Sequence, residues 1–162
     1  MGVWGTGFFD NDVALDLCGT LETRGMRRLR QVLRAVVSEP ASDPIDEDLA
    51  CEAIAAAAVI GHACGLKVKG VPDETAELLE ERNIKCSPSD LRLAQEALNR
   101  VLDHSWLAGA WSPAHGKKWR KQVGQLLSGL EKLQSAASEP RAAHSNPWVH
   151  SSMCSTPDCE PW

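Results

Sequence analysis

Asp10, Asn11 and Asp12, followed by Asp16, put three carboxylates and an amide close together near the N-terminus. Hard divalent cations take several oxygen ligands from one turn, so this is a donor set such an ion accepts. The spacing lacks the central Gly and distal Glu of a calcium loop, and the stronger expectation is a helix start. The three residues offer acceptors for the free N–H groups of a first turn, and Val13, Ala14 and Leu17 follow at helical spacing. Trp4, Phe8 and Phe9 are expected to fold back beside the cap as a hydrophobic staple. Gly5-Thr6-Gly7 has the look of a phosphate cradle, but no Lys follows it, no strand precedes it, and the acids beyond it repel phosphate.

A second group, His144, His150, Cys154 and Cys159, carries the imidazoles and thiols that zinc prefers. Its H-x5-H-x3-C-x4-C spacing contains no C-x2-C pair, so these four are weak metal candidates in what is expected to be an unstructured tail. His62 and Cys64 sit two apart on a predicted helix and face different directions. Cys18, Cys51 and Cys64 read as small core residues and all six cysteines as reduced thiols. No G-x-S-x-G or H-E-x-x-H motif occurs. No catalytic residue and no cofactor are expected.

Charge is the next resource. Residues 1–23 hold four acids and no Lys or Arg, residues 24–38 hold five Arg and no acid, and residues 39–90 hold twelve acids against four bases. The net charge of −5 therefore hides a dipolar surface. Arg24, Arg27, Arg28, Arg30 and Arg34 are binding candidates for nucleic acid or an acidic partner, unless they pair with the acids of 39–90. Asp46, Glu47 and Asp48 are binding candidates for a basic partner. Overall acidity and the lack of a helix-turn-helix signal disfavour nucleic acid.

The elements that must position these residues follow from periodicity. Gly2 to Phe9 is too glycine-rich for a helix and reads as an irregular arm closing one end of the core. Behind the Asp10–Asp12 start, Gly19 and Gly25 punctuate a first helix. Met26, Leu29, Leu33, Val36 and Val37 stripe an amphipathic helix whose outer side is Arg-rich. The segment 45–64 is apolar all round and so belongs at the centre of a bundle. Pro72 opens a short helix that ends near Asn83, and Ser87-Pro88-Ser89-Asp90 opens another. Its apolar face is predicted to run from Leu91 to Trp106. Ser112 to Gly116 reads as a loop before a last helix from about Lys117, with Trp106 and Trp119 as anchors joining the last two long helices. The expected fold is all-α, a bundle of about five helices over 1–134, with a flexible tail over 135–162. No apolar run is long enough to cross a bilayer and no signal-peptide pattern opens the chain, so a cytoplasmic location is expected, without a membrane partner.

The opening Met1-Gly2-Val3-Trp4-Gly5-Thr6-Gly7-Phe8-Phe9-Asp10-Asn11-Asp12 resembles that of small bacterial proteins grouped as domain of unknown function family 4259. The likeness continues through Asp48 to Ala57, Leu91 to Ser105 and the Trp119-Arg120 helix, thus covering roughly 1–134. The resemblance implies a small, mainly helical cytosolic protein in which Trp4, Gly5, Gly7, Phe9, Asp10, Asn11 and Asp12 form a structural N-terminal motif. It implies no reaction, ligand or catalytic residue. With charge blocks and no catalytic constellation, the leading expectation is a non-catalytic interaction protein of the immunity or regulatory kind, with another protein as partner. The alternatives are a small metal- or carboxylate-dependent enzyme using Asp10, Asp12, Asp16 and Glu52, and a nucleic-acid-associated protein using the Arg-rich helix.

Overall fold

An alanine-rich helix can be surrounded closely on every side because its side chains barely protrude. In the computed structural model, which describes residues 5–110 and 112–138, this is the role of α3 (Glu47–Ala63). All of Ala50 to Gly61 except Glu52 is buried. Helices α1 (Asp12–Arg24), α2 (Met26–Ser38), α5 (Pro88–His104) and α7 (Pro113–Ser138) all pack on it. Helix α4 (Asp73–Glu81) leans on α1, and the single turn α6 (Leu107–Ala110) sits between α5 and α7. The fold is all-α: among the described residues there are six helices of nine residues or more, one above the expected number, and the only β-type pairing is a single bridge.

Local chemistry sets the boundaries. Asn11 caps α1 by accepting from the Ala14 N–H at 2.7 Å, and Leu17, Cys18 and Leu21 then bury one face. Gly19 does not break this helix. Gly25 ends it with φ of +54°, a conformation that L side chains rarely adopt, and α2 starts at the next residue. Ser87 and Asp90 form a complete capping box with Pro88 in the first turn. The last helix starts at Pro113 rather than near Lys117, so Pro113 to Gly116, expected as a loop, is its first turn. A proline at the first helical position leaves no intrahelical bond unmade, and the Gly116 N–H reaches the Ser112 carbonyl at 2.8 Å. At its far end this helix continues through Ser138, past the expected boundary at 134. The rest of the expected tail lies outside the described residues, as do Trp4, Trp111 and the His144, His150, Cys154, Cys159 group.

Two further expectations need correcting. Trp106 is 63% exposed and anchors nothing, whereas Trp119 is 3% exposed, in the core. Apolar spacing continues to Trp106, but α5 ends at His104. Ser105 is extended and bridges Ile45: the Ile45 N–H donates to the His104 carbonyl at 2.8 Å and the Trp106 N–H to the Ile45 carbonyl at 3.2 Å. That turn of the chain points Trp106 outward and gives the buried position to Leu107. The second correction concerns sulfur. Cys64 and Cys86 form a disulfide with Cα atoms 5.9 Å apart, and are not reduced thiols; Cys18 and Cys51 are free and buried as expected.

Candidate functional site

The N-terminal motif is built around one carboxylate. Asp10 accepts from the Gly7 N–H at 2.8 Å, and the Asp10 N–H reaches the Gly7 carbonyl at 3.3 Å. A Cβ on Gly5 or Gly7 would lie 2.4 or 2.5 Å from Asp10 Oδ2, so a side chain at either position displaces the Asp10 carboxylate. Phe9 is buried, Phe8 packs on the core edge, and Asn11 is the cap. The staple does not form in its usual sense: Asp10 precedes the cap, and Leu15, the residue it would have to meet, is 40% exposed. Asp12 and Asp16 are exposed on α1. Glu52, the remaining acid of the enzyme alternative, pairs with Arg28 at 2.7 Å. Among the described residues no group of three or more His, Cys, Asp or Glu could hold a metal ion.

The Arg-rich segment is divided. Arg30 grips Asp90 with two hydrogen bonds of 2.6 and 2.9 Å, and Arg28 holds Glu52, so two of the five arginines meet acids of the 39–90 block. Asp90 is 3% exposed; its bond from Arg30, with further bonds from Ser87, pulls its pKa from the ordinary 3.8 down to about 2. Arg24, Arg27 and Arg34 are exposed. Among the acidic candidates, Asp46 caps α3 by accepting from the Asp48 N–H at 3.0 Å, Glu47 is exposed and Asp48 half-buried. Their charges add to burial in pushing the Cys51 thiol up to about 12, which leaves it protonated and inert.

The concave feature with the clearest chemistry lies elsewhere, between α1 and α4. A groove of about 390 Å³ has a floor of Leu15, Cys18, Pro72, Thr75 and Leu78, and a rim of Glu22, Glu74, Glu77 and Glu81. No basic side chain lines it. A Cβ on Gly19 would meet nothing within 4 Å, so this position leaves the α1 side of the groove open. The walls are fixed at three points. The Thr75 side chain hydrogen-bonds Cys18, whose thiol pKa is raised by burial. Arg82 donates to the Glu22 carbonyl at 2.7 Å, and the Cys64–Cys86 disulfide closes the base of the excursion that carries α4.

The match of a family model to residues 2–122 decides the relationship, since it spans most of the chain including the glycine-bracketed Asp10 and the central α3. The chain belongs to the family described as Domain of unknown function (DUF4259). Neither the curated proteins nor the solved structures contain a match to it. Membership in DUF4259 covers both walls of the acidic groove and ends inside α7. No helix of the described residues is long and apolar enough to cross a membrane.

The four rim glutamates were not among the residues singled out from sequence, which pointed to Asp46, Glu47 and Asp48 instead. A signal was present: Glu74, Glu77 and Glu81 recur at three- and four-residue intervals with Leu78 between them, the pattern of one helix edge. Their convergence with Glu22, more than fifty residues earlier, comes from tertiary packing.

Proposed function

We propose that this chain is a non-catalytic binding protein of the immunity or regulatory kind, and that it holds a basic amphipathic helix of another protein in the α1–α4 groove. The observation that carries this reading is the pairing of an apolar floor with four glutamates and no base around it. An amphipathic helix laid in a groove buries its apolar stripe while Lys or Arg on its flanks meet the rim. Complementary charge raises the association rate and rejects acidic competitors. The dispersal of Asp10, Asp12, Asp16 and Glu52 into a turn of the N-terminal arm, solvent and an ion pair gives the enzyme alternative no comparable support. The internal pairing of Arg28 and Arg30 leaves the nucleic-acid alternative three exposed arginines.

The test is affinity purification from the native host with the wild type beside a variant carrying Glu22→Gln, Glu74→Gln, Glu77→Gln and Glu81→Gln. The expected result is a protein retained by the wild type at low salt, released as salt rises, and absent from the variant. A protein retained equally by both contradicts this site. We place the chain in the cytoplasm, with the Cys64–Cys86 disulfide an exception to the rarity of such bonds there.

A further inference from the structure

The cysteines among the described residues divide by environment. Cys18 and Cys51 are free and buried, and burial pushes both thiols up, Cys51 to about 12 with help from nearby acids, so neither readily forms the thiolate that oxidants attack. Cys64 and Cys86 are half-buried and bonded to each other. Each sits at a helix end that is fixed by its own hydrogen bonds. The Cys64 N–H reaches the Ile60 carbonyl at 3.0 Å where α3 closes, and Cys86 adjoins Ser87, whose capping box with Asp90 starts α5. Their Cα separation of 5.9 Å is inside the roughly 4.4–6.8 Å that disulfides span, so packing of α3 and α5 already holds the two sulfurs for reaction. The two helix ends differ in sign. Partial positive charge at the start of α5 favours an anion at Cys86, and partial negative charge at the end of α3 disfavours one at Cys64.

We infer that Cys64 and Cys86 are a reversible, peroxide-responsive pair, with Cys86 the attacking thiolate and Cys64 the resolving thiol. Cys86 Sγ attacks one oxygen of hydrogen peroxide, the O–O bond breaks, hydroxide leaves and Cys86 becomes a sulfenic acid. Cys64 Sγ then bonds to Cys86 Sγ, the S–O bond breaks, and the hydroxyl leaves as water with the Cys64 proton. Two electrons pass from the two sulfurs to the peroxide. A dithiol reductant returns them by exchange through a mixed disulfide and is itself left as a disulfide. Transient bonds of this kind are the usual form of cytosolic disulfide. Neither cysteine lines the acidic groove, so the pair stands or falls apart from the binding proposal.

Thiol trapping in the native host, with the Cys64 and Cys86 peptides read by mass spectrometry, tests the assignment on the wild type. The pair is expected to be mainly dithiol in unstressed growth, to gain disulfide about tenfold within minutes of adding hydrogen peroxide, and to return to dithiol once the peroxide is consumed. The order of reaction is read on purified, reduced full-length chain treated with hydrogen peroxide and dimedone, which traps sulfenic acid. Cys64→Ser is expected to accumulate the adduct on Cys86, and Cys86→Ser to show little on Cys64; thermal melts of both confirm folding. A pair fully disulfide before peroxide, a pair still dithiol after it, or equal adducts in the two variants overturns the inference.

Discussion

Asp90 does two jobs with one carboxylate: it closes the capping box of α5 and receives both hydrogen bonds of Arg30. Its folded pKa of about 2 lies below the ordinary 3.8, so the unfolded chain takes up the proton first. The stabilisation is therefore complete above about pH 5 and is lost as pH falls through 4 toward 2, a loss of about 2 kcal/mol. Asp90→Asn should cost a similar amount, about 2 kcal/mol, at neutral pH, and should flatten that part of the stability–pH curve; urea titrations across the range measure both. The cap was legible from Ser87-Pro88-Ser89-Asp90 alone, because capping is a local pattern. The partner Arg30 was not, since it lies sixty residues away. The tryptophans separate the same way. Trp119→Ala should cost about 3–5 kcal/mol, as for a buried aromatic, while Trp106→Ala should change stability by less than about 0.5 kcal/mol. Equal shifts in melting temperature would contradict the different burial of the two.

At the scale of elements, α4 is an excursion between α3 and α5 whose ends are joined by the Cys64–Cys86 disulfide, 22 residues apart. Closing a loop of that length stabilises by about 3 kcal/mol in the chain-entropy description. Cys86→Ser under oxidising conditions should lower unfolding free energy by about that amount, and hydrogen exchange should show faster opening of α4 than of α3 or α5. Uniform acceleration across all helices would argue that α4 is held by packing alone. Apolar periodicity made the central place of α3 legible, since Ala53 to Ile60 has no polar face. Cysteine pairing was not legible, because spacing alone does not show which thiols tertiary packing brings together. The start of α7 was misplaced because a Ser-Pro followed three residues later by Gly suits a turn as well as a first helical turn.

Across the whole molecule, charge segregated along the chain is partly cancelled in space. Arg28 and Arg30 neutralise Glu52 and Asp90, and the acids that line the groove are Glu74, Glu77 and Glu81 of α4 together with Glu22. Block arithmetic on the sequence located the −8 segment, and its binding candidates Asp46, Glu47 and Asp48 sit at the start of α3, where Asp46 caps the helix, apart from the four glutamates of the groove. The distinction needs the α1–α4 packing, which no local pattern encodes. The central claim, that a basic amphipathic segment occupies this groove, is tested most directly by placing a photo-crosslinking amino acid at the exposed Leu15 in the native host and sequencing the adducts. The account predicts one recurrent protein adduct, crosslinked through a helix with Lys or Arg flanking an apolar stripe, that disappears when Glu74, Glu77 and Glu81 are changed to Gln. Absence of any adduct from Leu15, or an adduct unaffected by those substitutions, would contradict it.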